Sequence, residues 1–274
     1  LFPLFELTVG PFSAAFSPPP RRKVSYLGPA VDTHPDATRR KRERTHRRFV
    51  ERVVGYVDSE IDPRYVNVRT PPTYDDPRPL VWQGFDPIPR YTYHVDLTRS
   101  SEAILADASS DLRSNVRGTD ADAFEIAPAD PDDVRWILEL AQARHDEQDV
   151  SYGVTPEFVH DLSAALPERV APFVCTVDGD PVGGTVALVG DDAVYRWQSA
   201  VEFDATVPAQ DLLDWHLVEL GIERDRDRFD LVGANDPRLC EYKAKFAPEV
   251  GTYYELERSG ILTDVAAETY RRLR

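Results

Sequence analysis

The spacing of hydrophobic positions switches along the chain, and the switches mark the elements. Residues 1–7 (LFPLFEL) and 24–28 (VSYLG) are dense in apolar and aromatic side chains. They predict two short strands separated by the proline-rich stretch 16–22. Phe49, Val53, Val57 and Ile61 then recur every fourth residue. That spacing predicts an amphipathic helix from Pro35 to Ile61, with Pro35 in its first turn. Tyr65–Arg69 and Tyr91–Leu97 alternate as strands, and the prolines between them predict irregular loop. Ile104, Ala108, Leu112 and Val116 form one stripe, so Ser100 to Arg117 reads as a single helix capped by Ser100.

The second half is more regular. A strand at Phe124–Ile126 precedes a helix from Pro131 to Glu147, capped by Asp130, and a further helix that starts at Thr155. Three strands follow, Phe173–Val177, Val182–Val189 and Ala193–Ser199, with a hairpin turn at Asp178-Gly179. Next come a helix at Gln210–Arg224, a short buried strand at Phe229–Gly233, a short helix at Leu239–Phe246 and a last strand at Thr252–Glu257. An antiparallel meander followed by a β-α-β unit predicts an α+β fold with mixed, mainly antiparallel sheets flanked by helices.

Charge refines this picture. The formal net charge is -16, with 48 acidic against 32 basic residues. Residues 1–55 nevertheless carry a net +6, and the rest -22. Aspartate (30) outnumbers glutamate (18), and the lysines are four: Lys23, Lys41, Lys243 and Lys245. An Asp-rich, Lys-poor surface suits molar salt, where the Debye length falls to about 3 Å, so a halophilic source is expected. General nucleic-acid binding is disfavoured. The exception is Arg39–Arg48 (RRKRERTHRR), read as an exposed helix face or a phosphate-binding arm. No run approaches the ~18 apolar residues of a membrane span. Cys175 and Cys240 have no CxxC spacing, which excludes a zinc ribbon and a disulfide scaffold. The expected compartment is the reducing cytoplasm. The sequence has no methionine, which predicts a chain whose N-terminus lies upstream.

Some residues carry candidate chemistry. Arg113 and Arg117 lie four apart on one helical face and could hold an anion, or pair with Asp107 or Asp111. Trp82, Tyr91 and Tyr93 could stack on a sugar or nucleotide ring, or simply pack. Lys243 and Lys245 stand out because the chain uses arginine almost everywhere else. A lysine there could stabilise an oxyanion, act as a base if desolvated, or sit on a solvated helix face. His94 and Asp96 lack a third ligand, no metal-spaced cluster exists, and Gly183-Gly184 reads as close strand packing.

The element order resembles the GNAT N-acyltransferase fold. Trp82-Gln-Gly-Phe85, Pro89–Leu97, Leu112–Arg117, Phe229–Gly233 and Tyr242-Lys-Ala-Lys-Phe246 together resemble its Fem-type branch. That resemblance implies tandem GNAT-like domains: 1–97, incomplete at its N-terminus, a linking helix and hinge at 98–122, and 123–274. It implies transfer of an acyl group from an activated donor, with acyl-CoA as co-substrate and no tightly bound cofactor. The acceptor would be an amine on a small molecule, an amino sugar or a surface-glycan precursor. The alternatives are aminoacyl transfer from tRNA and an inactive scaffold. Lys243 matches the lysine of the Fem-type motif. Trp197, Gln198 and Ser199 end the strand that, in GNAT folds, splays from its neighbour around the acyl group, and Asn235 lies where it could bond the acceptor. One departure stands out. The glycine-rich pyrophosphate loop of ordinary acyl-CoA enzymes is replaced by Val201–Pro208, which has no glycine and two acids.

Overall fold

The computed structural model describes residues 1–9, 12–31, 36–147 and 152–259. Its elements in chain order are β1 (Phe5–Val9), β2 (Phe12–Ser17), α1 (Arg39–Tyr56), β3 (Tyr65–Arg69), α2 (Arg78–Val81) and β4 (Asp86–Asp96). There follow α3 (Ser101–Asp107), α4 (Ser110–Gly118), β5 (Glu125–Pro128), α5 (Pro131–Glu147) and α6 (Pro156–Ala165). The rest are β6 (Val170–Val177), β7 (Asp180–Val189), β8 (Ala193–Val201), α7 (Ala209–Glu223), β9 (Arg228–Asp230), α8 (Pro237–Lys243) and β10 (Glu249–Ser259).

Two compact units result: Leu1–Arg90 with the chain from Thr252, and Tyr91–Gly251. In the first, the strand order is β1-β2-β3-β10, with β2 and β3 parallel and the other pairs antiparallel. Its core joins Val50 and Val54 of α1 to Val66, Val68, Leu80, Phe85 and Leu256. In the second, the order is β4-β9-β8-β7-β6-β5, antiparallel except for β8 with β9. One core joins α3, α4 and α7 to the sheet through Leu105, Leu112, Leu213, Leu217 and Phe229. Another joins α5 and α6 through Leu138, Val159 and Trp197. The expected class, α+β with mixed, mainly antiparallel strands flanked by helices, is the one observed.

Local chemistry explains most boundaries. Asp130 Oδ1 accepts from the amides of Asp132 and Asp133, and Thr155 Oγ1 from that of Phe158, so both helices start where their caps predict. Asp178 and Gly179 take φ 52° and 88°, the doubly left-handed pair of a tight hairpin. A Cβ on Gly184 would lie 2.2 Å from Ile137 Cδ1 and 2.9 Å from the Phe173 carbonyl, so glycine lets α5 seat against β7.

Other expectations are corrected. Residues 24–28 form no strand; the second strand is Phe12–Ser17, close enough to β1 for a hairpin, whereas 24–28 follow three prolines. The basic helix begins at Arg39, capped by Thr38, and Pro35 lies outside the described residues. Pro87 and Pro89 fall within β4, because proline's fixed φ fits extended backbone. The single helix expected from Ser100 is two. Ala108 turns extended (ψ 163°), and Ser109 caps the second by accepting from the Leu112 amide. The stripe still survives the break, with Ile104, Ala108 and Leu112 all buried.

Candidate active site

The site lies in the second unit, where two neighbouring strands part. β8 and β9 pair only at Ala193–Tyr195 against Arg228–Asp230. Beyond Asp230 the chain stays with β4, the amides of Leu231 and Ala234 donating to the carbonyls of Tyr93 and Tyr91. A β-bulge places Trp197 opposite the Val186/Ala187 step of β7, and bulges bend a strand away from its plane. The edge of β8 from Arg196 onward is therefore open toward 231–234.

The chain at that opening is held in an unusual conformation. Val232 and Gly233 have φ 56° and 85°. Left-handed backbone is strained for a β-branched residue. Asp230 Oδ1 accepts from the Val232 amide and from Thr92 Oγ1, and Thr92 Oγ1 accepts from the Gly233 amide. Lys243, at the end of α8, donates from Nζ to the carbonyls of Val232 (2.8 Å) and Gly233 (2.7 Å). Its residue is only 3% exposed. Burial, helped by the Arg196 guanidinium, pulls its pKa from 10.5 down to about 8. An ammonium has three donors; two are committed to these carbonyls.

Behind it lies a buried ion pair. Arg196 Nε and Asp214 Oδ1 are 2.7 Å apart, with Asp214 fully buried on α7. The alignment is too poor for a directional hydrogen bond, so this contact is chiefly charge on charge. Tyr242 Oη donates to the other oxygen of Asp214 at 2.8 Å. Burial raises the Asp214 pKa, and Arg196 and Tyr242 pull it back. Arg196, Asp214 and the Tyr242 hydroxyl escaped sequence reading. The one signal was an aspartate within the apolar run LLDWHLVEL.

At the start of α7 the chemistry differs. Asp211, 3% exposed, receives Lys245 Nζ at 3.1 Å and Asn115 Nδ2 at 2.7 Å. Lys245 also meets Asp111 at 3.1 Å and lies 5.2 Å from the centre of the Tyr242 ring. A cleft of about 330 Å³ opens there between Glu202, Phe203, Pro208, Tyr242 and Lys245. Of the amides that a helix start can offer an anion, Pro208 has none and that of Ala209 bonds to the Val207 carbonyl, which leaves those of Gln210 and Asp211. With Asp211 in the first turn and the Pro208 and Ala209 donors missing, this is a poorer seat for a pyrophosphate than a glycine-rich helix start.

The remaining candidates fall as follows. Trp197 is buried edge-on against Phe158, and its Nε1 has no partner among the described residues. Gln198 accepts from Tyr152 Oη at 2.8 Å, while its Nε2 is likewise unpartnered. Ser199 Oγ donates to Gln210 Oε1 at 3.1 Å. Asn235 bridges the Tyr91 backbone, its Oδ1 accepting from the amide and its Nδ2 donating to the carbonyl, both at 2.9 Å. Tyr93 packs against the core, and Tyr91 is exposed. Arg113 donates to the carbonyls of Ala106 and Ala108 at the end of α3, so neither Asp107 nor Asp111 is its partner, and Arg117 is exposed. Trp82 belongs to the first unit, exposed, with the Arg78 guanidinium 5.8 Å from its ring. The structure thus gathers Lys243, Lys245, Asn235 and the end of β8 in one unit.

The family model described as "Acetyltransferase (GNAT) domain" matches residues 107–244, just over half of the chain. The chain belongs to this GNAT family. Its GNAT fold is shared with solved structures at low identity. FemX matches with a TM-score of 0.66 at 12% identity, covering 92% of this chain and 83% of that one. A C-terminal domain assigned to lysylphosphatidylglycerol synthetase of Agrobacterium fabrum gives 0.61 at 15%, with 98% and 85% covered. A tandem GNAT protein from the clavulanic acid biosynthesis pathway gives 0.51 at 14%, with 93% and 77% covered. No curated protein matches in sequence. Among the described residues, no helix is long and apolar enough to cross a membrane.

Proposed function

We propose that this GNAT chain is a Fem-type transferase that moves an aminoacyl group from an activated ester, that of an aminoacyl-tRNA, to an amine acceptor. The observation that carries the reading is the opening between β8 and β9 with Lys243 at its edge. The start of α7, with Asp211 in its first turn and no free amide at Pro208 or Ala209, favours this donor over acyl-CoA. The names of two fold neighbours, FemX and a lysylphosphatidylglycerol synthetase, agree with it. The acceptor amine sits on an amino sugar or another surface-glycan precursor.

The acceptor nitrogen attacks the ester carbon and forms the new C–N bond. The negative charge that develops on the carbonyl oxygen is met by amides on the open edge of β8 and by the third N–H of Lys243. The ester C–O bond then breaks, the departing oxygen takes a proton, and the nitrogen gives one up to water. Holding donor and acceptor together in the gap supplies the orientation.

The test is turnover with an aminoacyl-tRNA and an acetyl-CoA panel, for the natural protein and Lys243→Ala. Loss of one oxyanion donor lowers kcat by about 10²- to 10³-fold. Full transfer by Lys243→Ala removes that lysine from the mechanism, and turnover of acetyl-CoA alone reverses the donor assignment.

A further inference from the structure

α1 carries eight lysines and arginines and two glutamates; six of the eight fall in two rows, and Lys41 and Arg42 lie outside both. Arg39 meets Glu43 at 3.1 Å, and Arg47 meets Glu51 at 3.3 Å, each one turn on. Arg78 of α2 adds a second cation to Glu43 at 3.2 Å. Arg40, Arg44, Arg48 and Arg52 form a different row, also one turn apart and all exposed. Their side chains have no ion pair or hydrogen bond among the described residues. The opposite face of the helix is sealed, with Val50 at 0% and Val54 at 4% exposure.

This row works against the helix. Like charges at i,i+4 are destabilising, and a chain with 48 acidic residues had carboxylates to spare. The adjacent row shows the same helix placing them. A line of uncompensated guanidinium groups, about 18 Å long at 1.5 Å per residue, fits a linear anion better than it fits water.

We propose that Arg40, Arg44, Arg48 and Arg52 dock the phosphodiester backbone of the RNA that carries the acyl donor. The proposal rests on the aminoacyl-tRNA reading above. Guanidinium forks match phosphate oxygens, and an RNA strand offers its charges in sequence along a line. An anionic membrane is the poorer occupant. A helix lying in an interface buries an apolar face there, whereas Phe49, Val50 and Val54 of α1 pack in the core and Tyr56 is its exposed large apolar residue.

The probe is labelled, unacylated bulk tRNA, titrated against the natural protein across a salt series with helix content followed by circular dichroism. Four phosphate contacts give a log–log salt slope of about -3, a loss of roughly 50- to 150-fold over a fourfold rise in salt. Replacing all four row residues by glutamine (Arg40→Gln, Arg44→Gln, Arg48→Gln, Arg52→Gln) abolishes most of that slope. The control Arg39→Gln/Arg47→Gln, which touches only paired arginines, leaves it in place. Unchanged tRNA binding in the fourfold variant overturns the proposal. So does an equal loss in the control, or tighter binding of phosphatidylglycerol vesicles through the same four residues. Transfer from a 3′-terminal aminoacyl fragment, which lacks the RNA backbone beyond its end, separates the two readings. The fourfold variant keeps that reaction while its KM for whole aminoacyl-tRNA rises. If the natural protein fails with both donors yet binds tRNA through the row, the transferase reading falls and the docking surface stands.

Discussion

Lys243 and Lys245 leave the same short segment in opposite electrical company. Lys243 enters the end where β8 and β9 part, and its hydrogen-bond acceptors are neutral carbonyls. Burial, with Arg196 standing near, draws its pKa down to about 8. Lys245 enters the end where α7 begins, between the carboxylates of Asp111 and Asp211. Burial lowers its pKa too, but those two carboxylates outweigh it and the net shift is upward. One lysine bonds only neutral carbonyls; the other is paired directly with two carboxylates. Negative charge that appears during a reaction is best received at the first end. At the second, the same residue type closes an internal bridge.

The largest effect comes from removing the counter-ion behind the first end. Asp214 is fully buried and is the acid paired with Arg196. Asp214→Asn leaves the guanidinium without its charge partner and a single acceptor oxygen where Arg196 and Tyr242 each had one. Breaking a buried pair on one side costs about 3–5 kcal/mol, measured as a lower midpoint in chemical denaturation with an unchanged slope. A loss below ~1 kcal/mol would mean that the Arg196 charge is relieved by solvent, and the contrast between the two ends would weaken.

The second effect is on rate and separates ammonium from base. Below about pH 8 Lys243 is protonated in the folded and unfolded chain alike. Between about 8 and its ordinary 10.5 only the unfolded form keeps the proton. The cost of burying this charge is therefore present in full below pH 8 and is relieved as pH rises, so its contribution to stability improves in that window. Activity moves the other way if the ammonium receives the oxyanion. Lys243→Arg keeps its charge throughout. The ratio of wild-type to Lys243→Arg transfer rates should be flat below pH 8 and fall about tenfold per unit above it. A ratio that rises instead makes Lys243 a base.

How far the sequence disclosed this contrast depends on what each residue had to contact. Periodicity and caps located α5, α6, β7 and α7, because burial of one face and satisfaction of helix ends are local demands. The rarity of lysine pointed to YKAKF without separating its two lysines. Their difference is made by Asp214 and Arg196 on one side and Asp111 and Asp211 on the other, and each partner lies at least 28 residues away in the chain. The break at Ala108–Ser109 was hidden because the apolar stripe keeps its phase across it. The strained turn at Val232 was hidden because valine in an apolar run reads as strand, and only Asp230, Thr92 and Lys243 together hold it otherwise.

The smallest effect tests the second end. Lys245→Gln removes the cation shared by Asp111 and Asp211 while keeping the chain's length and polarity. Asp111 is exposed enough for water to replace the lysine, and exposed pairs are worth about 0–1 kcal/mol. Asp211 is buried but keeps the Asn115 donor at 2.7 Å. The expected loss is therefore about 1–2 kcal/mol, between the exposed and buried limits. The Lys245–Asp111 share should shrink as salt rises, because exposed charges are screened. Transfer of a bound donor should proceed at nearly the natural kcat. If Lys245→Gln lowers kcat as steeply as Lys243→Ala while losing little stability, the cation at the start of α7 takes part in the reaction, and the division between the two lysines drawn from their surroundings is wrong.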